Sequence, residues 1–303
     1  MKNIILLSTL LFACGNASNS SKIGLQMPNI STEKLENLPN VSDDTDNQYI
    51  WLEDYDINTA LVNRILVPEG YERVGVAKND LGDWLRHLPL KPRDAKVNLY
   101  DGSEKYRQDV HAAVVNIDVG NRDLQQCADA VMRLKAEYHY SRGEFYKIHF
   151  NFTSGDNVSF DDWRFGRKPK IAGNKVTFTP KTATANNSYK NFKSYMNMIF
   201  NYAGTYSISQ ELKNKDISTI QAGDVFIVGG FPGHAMLVMD IAKNKDGKTI
   251  FLLSQSYMPA QNIHIVKNFN PESKTLGCWF STDFGSMLNT PEYVFPKGSL
   301  KTW

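Results

Sequence analysis

Apolar residues recur every three or four positions across residues 123–140 (DLQQCADAVMRLKAEYHY). Leu124, Cys127, Val131, Leu134 and Tyr138 fall on one stripe, and Gly143 follows. That period predicts a helix with one buried face. A second stripe, Phe192, Tyr195, Met196 and Ile199, predicts a helix over 189–202. Residues 79–87 (NDLGDWLRH) predict a short helix stopped by Pro89 and Pro92. Strands are predicted over 96–100, 112–119 and 145–152; in the last, Tyr146, Ile148, Phe150 and Phe152 share a face. Asp101-Gly102 predicts a turn. Residues 156–187 are polar and rich in Gly, Pro, Asn and Thr, which predicts an insertion with one short strand at 176–178.

Residues 223–266 carry the clearest strand pattern. Strands are predicted at 224–228, 234–242, 249–255 and 262–266, separated by the loop 229–233 (GGFPG), the turn 244–248 (NKDGK) and the segment around Pro259. An antiparallel meander that follows helical segments defines an α+β class. Folding the central hairpin about Asp246 sets His234 opposite residues 256–258. Gln255, Ser256 and Tyr257 therefore arrive beside His234, where a strand leaves a glycine-rich loop. Gly233 and its neighbours would let a substrate backbone approach the imidazole closely. Asp240 shares a face with His234 but stands six residues along the strand, roughly 20 Å away, too far to orient it. The competing reading is a strand-end histidine that caps local backbone groups.

Upstream of residue 49 the pattern changes. Met1-Lys2-Asn3 is a short basic start, and residues 4–13 are mostly apolar, the length of a signal-peptide core. The run ends in Leu11-Phe12-Ala13-Cys14, which resembles the bacterial lipobox. Residues 1–13 then form a signal peptide, and Cys14 becomes the acylated N-terminus that anchors the protein in a membrane. Residue 15 is Gly rather than Asp, which by the retention rule of enteric bacteria favours the outer over the inner membrane. Residues 14–48, rich in Asn and Ser, read as a flexible tether, and 49–303 as a single globular domain. No stretch reaches the 18 consecutive apolar residues of a permanent span.

Composition narrows the function classes. The 303 residues carry 34 Lys plus Arg against 32 Asp plus Glu, a net charge of +2, which argues against a dedicated nucleic-acid binder. Three cysteines do not make a disulfide-stapled scaffold. HExxH, CxxC and EF-hand patterns are missing, so no metal is expected, and no cofactor is implied. His111 begins a strand and His264 sits in one, facing solvent. Trp84, Trp163, Trp279 and Tyr257 either line a cleft or fill a core.

Cys127 lies early in its predicted helix, where the helix dipole favours thiolate although Asp123 and Asp129 oppose it. A cysteine near a helix start and a histidine at a later strand start follow the order seen in papain-like enzymes. Residues 84–89 (WLRHLP), 118–131 (DVGNRDLQQCADAV), 202–205 (YAGT), 223–240 (GDVFIVGGFPGHAMLVMD) and 254–265 (SQSYMPAQNIHI) resemble a family of bacterial lipoproteins, the domain of unknown function 4846. That resemblance spans residues 50–300 and carries no known activity. More narrowly, Gly223-Asp224-Val225-Phe226 followed by Gly233-His234-Ala235-Met236-Leu237-Val238 resembles the NlpC-type and CHAP-type cell-wall hydrolases, papain-like enzymes that cleave peptidoglycan peptides.

The second resemblance implies a papain-like core in which Cys127 is the nucleophile, His234 the base and acid, and Gln255 the group that orients it. Backbone N–H groups at the helix start, with Gln126 or Gln125, would hold the oxyanion. Two departures stand out. The family presents Asp-Cys-Ser/Ala-Gly where this chain has Gln126-Cys127-Ala128-Asp129, and its Cys-to-His interval is much shorter. Two other readings remain: Cys127 as a core residue or bridged to Cys278, and a non-catalytic envelope lipoprotein that binds glycan or peptide in the same cleft.

Overall fold

The computed structural model describes residues 48–303; the expected signal peptide, the acylated Cys14 and the expected tether up to residue 47 lie outside them. The described residues fall within one compact unit. Nine strands build its main sheet: β1 Tyr71–Arg73, β2 His111–Val114, β3 Lys213–Asn214, β4 Val225–Val228, β5 His234–Asn244, β6 Thr249–Gln255, β7 His264–Val266, β8 Phe280–Ser281 and β9 Leu300–Thr302. The order is β2-β7-β6-β5-β4-β9-β3, with β1 added to β5 and β8 to β6. Every pairing is antiparallel. The helices that matter here are α1 Leu81–Arg86, α2 Cys127–Ser141, α3 Tyr189–Tyr202 and α4 Thr205–Glu211. The α+β class and its antiparallel meander β4–β7 are therefore present as expected.

Strand β5 is buried from His234 to Ala242 because the sheet is covered on both faces. Val225, Ile227, Ala235, Leu237 and Met239 belong to the larger core, in which α1 and α2 pack on β5 and α4 packs on β4. Phe226, Met236, Val238, Phe251 and Leu253 face a second core closed by the hairpin Met287–Asn289/Val294–Pro296, through Leu288 and Phe295. Each of these side chains other than Ala235 contributes about 1.5–3 kcal/mol when fully buried. The turn between β5 and β6 holds because Asn244 Oδ1 accepts from the N–H groups of Asp246 and Lys248, and Gly247 takes a φ of 79° that other residues avoid. Trp84, Trp163 and Trp279 belong to the core.

Several boundaries differ from the sequence pattern. Helix α2 begins at Cys127, not 123, because Asp129 Oδ2 accepts the Gln126 N–H at 3.0 Å and so ends the helix there. Asp123 instead accepts from Gln126 Nε2 and the Ala260 N–H, which ties the entry loop to the sheet. Residues 96–100 form only isolated bridges, Asn98 with Glu104 and Leu99 with Gln261. The strand expected over 112–119 spans His111–Val114. Over 145–152, Phe145–Lys147 is a 3-10 turn and only His149–Asn151 is a strand, so Tyr146 is exposed while Ile148, Phe150 and Phe152 are buried. The insertion 156–187 holds more structure than one strand: a helix at Phe160–Arg164 and a hairpin Pro169–Ala172/Lys175–Phe178. Helix α3 occupies Tyr189–Tyr202, with the predicted stripe buried.

Candidate active site

Two segments converge at one end of the sheet. The first is the start of α2. Cys127 is its first residue, half-buried and unbridged; Cys278 is likewise a free thiol. Three backbone N–H groups, those of Cys127, Ala128 and Ala235, act on the Cys127 sulfur and favour its thiolate. Ala235 follows His234 in β5, so its N–H brings the sulfur to the strand end that bears the imidazole. Burial works the other way and dominates, with the Asp129 carboxyl second, and pushes the thiol up to about 11. Burial also raises Asp129 well above the usual carboxylate range.

The second segment is the β5 start. His234 pairs with Val228 across β4 and is almost fully buried. Its ring packs against Tyr257 at 5.0 Å and Tyr293 at 5.1 Å, centroid to centroid. Both phenols also feel the Cys127 sulfur electrostatically, so thiol and imidazole share one cluster. His234 Nε2 lies 2.8 Å from Gln255 Oε1. A carbonyl oxygen only accepts, so Nε2 carries the proton and Nδ1 keeps its lone pair. Burial pushes the imidazole down to about 4, so the ring is neutral above that range.

The register behind this contact shifts by one. Leu252 pairs with Asp240 but Leu253 with Val238, which leaves Met239 as a bulge. Gln255 consequently reaches His234 diagonally. Asp240 stays apart, held by Arg73 and Arg86.

The remaining sequence-predicted residues fall into different roles. Ser256 is fully buried, and its hydroxyl lies 2.9 Å from the carbonyl oxygens of Gln125 and Gln261, so it fastens the α2 entry to the sheet. The Gln126 side chain is turned to Asp123. The Gln125 carbonyl oxygen Oε1 accepts from Arg133, while its buried Nε2 has no partner among the described residues. A Cβ on Gly233 would stand 2.6 Å from Thr205 Oγ1 and 2.7 Å from the Val228 oxygen, so protein fills the space reserved in the sequence reading for substrate. Tyr257 walls the imidazole.

Four contributors escaped the sequence pattern. His264 is fully buried rather than solvent-facing: it pairs directly with Gln255 across β6 and β7. Its Nδ1 lies 2.9 Å from the Asn262 oxygen and its Nε2 3.2 Å from Gln255 Nε2. Glu292 Oε2 accepts from Gln255 Nε2 at 2.7 Å, and Glu292 Oε1 meets Lys105 at 2.8 Å. Tyr293 closes the other side of the imidazole. The His264 pairing was readable: a hairpin centred on Pro259-Ala260 sets 255 against 264. Nothing local marks Lys105, Glu292 or Tyr293.

Burial also pushes His264 down, to about 3. Both folded values lie below that of an unfolded histidine, about 6.5. As pH falls below that value the unfolded chain takes up protons that the folded one refuses, and stability drops toward pH 4. His264→Gln is expected to remove roughly 1.4 kcal/mol per pH unit from that slope in denaturant titrations between about pH 6 and pH 4. An unchanged slope would contradict a neutral, buried His264.

A helix-initial cysteine beside a strand-borne, neutral histidine on an α+β scaffold defines the class of site. The chain belongs to the family described as Domain of unknown function (4846), whose model matches residues 61–302. No curated protein and no solved structure matches it.

Proposed function

We propose that this protein is a cysteine hydrolase or amidase with a papain-like core, held in the cell envelope by a lipid on Cys14 and acting on envelope peptides such as those of peptidoglycan. The observation that carries the reading is the 2.8 Å contact between His234 Nε2 and Gln255 Oε1, which turns a bare Nδ1 toward proton acceptance in the cluster that holds Cys127. Cys127 Sγ attacks the amide carbonyl and its proton passes to His234 Nδ1. The backbone N–H groups of Cys127 and Ala128, which act on the sulfur in the resting site, turn to the oxyanion as the sulfur bonds to carbon, a role in which one donor contributes about 10²–10³ in rate. The C–N bond then breaks as His234 returns the proton to the leaving amine. Water, deprotonated by the same ring, hydrolyses the thioester and restores the thiol.

The resting pair is uncharged, with the thiol near 11 and the imidazole near 4. The proton transfer therefore accompanies attack rather than preceding it. The same observation favours a second reading, a pocket that binds a peptide or glycan without turning it over. Mass spectrometry of peptidoglycan-derived peptides incubated with the protein separates the two. New amine and carboxylate termini are expected; saturable binding with every peptide intact would leave the binder. Intact-mass analysis of the mature chain tests the anchor, which requires an acyl-glyceryl adduct at Cys14.

A further inference from the structure

We infer that Glu292, held by Lys105, is a positioning residue that sets the tautomer of His234 through the Gln255 amide. An amide is nearly symmetric in shape, so Gln255 needs a reason to offer its oxygen rather than its NH₂ to His234. Glu292 supplies one. Its Oε1 is taken by Lys105 at 2.8 Å, and its Oε2 lies 2.7 Å from Gln255 Nε2. A carboxylate oxygen accepts only, so the Gln255 atom facing it is the nitrogen. His264 gives a second, weaker reason through a longer contact. Its Nδ1 faces the Asn262 carbonyl oxygen and must carry the proton, which leaves Nε2 as an acceptor 3.2 Å from the same amide nitrogen. Both amide protons are thus claimed, and Oε1 is left for His234 at 2.8 Å.

Lys105 and Glu292 are 8% and 10% exposed, so the pair is shielded from solvent and its geometry is held. The catalytic meaning of this relay rests on the hydrolase reading, but the relay itself concerns only proton positions.

The argument has a sign. In Glu292→Gln the Lys105 ammonium, a pure donor, takes the new amide's oxygen. The NH₂ of residue 292 then faces Gln255, which rotates against the longer, weaker His264 contact and turns its own NH₂ to His234. Nε2 becomes an acceptor and the proton moves to Nδ1. Adding Lys105→Met removes that bias, so Gln at 292 again offers its oxygen and the original tautomer returns.

The experiment is long-range ¹H–¹⁵N NMR on the ¹⁵N-histidine-labelled full chain, which separates protonated from bare ring nitrogens among six histidines. His234→Gln assigns the signals. Wild type is expected to show His234 with Nε2 protonated and Nδ1 bare. Glu292→Gln is expected to turn the majority of His234 to the opposite tautomer and to slow Cys127 alkylation to the His234→Ala rate. Glu292→Gln/Lys105→Met restores both. If the lone Lys105 prevents folding, Glu292→Met/Lys105→Met is compared with Glu292→Gln/Lys105→Met: the first, left with the His264 contact alone, is expected to show more of the opposite tautomer than the second, which keeps the original. A His234 tautomer unchanged in Glu292→Gln, or in the charge-free pair of variants, would overturn the relay. The wild-type tautomer together with a complete absence of hydrolysis would instead overturn the hydrolase and leave the relay standing.

Discussion

Cys127→Ala is expected to abolish the proposed hydrolysis of envelope peptides, by about 10⁶-fold in kcat, the scale on which removal of a nucleophile acts. The fold should survive the change. Cys127 is only half-buried, and α2 is started by the Asp129–Gln126 contact rather than by the sulfur. Loss of one partly buried sulfur costs about 1 kcal/mol or less on the scale of core truncations. Peptide binding should persist, because the walls of the cluster, Tyr257 and Tyr293, pack on His234 and not on the thiol alone. Peptide cleavage followed by mass spectrometry, with binding measured in parallel, checks both halves. Full activity in the variant would remove Cys127 from the chemistry.

Arg133→Ala is expected to produce the largest loss of stability. Arg133 and Glu137 are each 1% exposed and meet at 2.6 Å, one turn apart on α2. Arg133 also donates to Gln125 Oε1 at 2.9 Å, two residues before Cys127, and to Asp118. Among the described residues, the carboxylate of Glu137 keeps only the Tyr189 hydroxyl once the guanidinium is gone. Removing one partner of a buried pair costs about 3–5 kcal/mol, because the other charge stays buried without compensation. For a domain of this size that lowers Tm by roughly 10 °C. Since Gln125 loses its support, the α2 start should loosen and cleavage should fall as well. Arg133→Met/Glu137→Met should recover most of the stability, because no charge is then stranded. A Tm within about 3 °C of wild type in Arg133→Ala would contradict this account.

The legible and illegible parts of this protein divide by contact distance along the chain. The meander was readable because neighbouring strands are joined by short turns, and α3 because its apolar stripe is local. The Gln255–His234 contact followed from hairpin arithmetic, although the Met239 bulge moved the register by one. The α2 start was misplaced because apolar period alone does not register a carboxyl that caps its own helix three residues in. Glycines at 229–233 read as openings for substrate, yet Thr205 and the Val228 oxygen occupy the space beside Gly233. Lys105 and Glu292 stand far apart in sequence, in polar stretches with no period, and only the folded chain joins them to Gln255. The proton on His234 depends on that long-range contact.

The most direct measurement is the rate of Cys127 alkylation by iodoacetamide across pH, in wild type and in His234→Ala, read by peptide mass spectrometry. The account predicts that the wild type reacts at least about 10-fold faster near neutral pH, because the bare Nδ1 accepts the thiol proton. It also predicts that both rates climb as pH rises toward about 11, where the thiol ionises by itself. The sign is diagnostic: deleting a buried ring opens the site, and better access alone would speed the variant. Equal rates, or a faster His234→Ala, would contradict a nucleophile and base acting together.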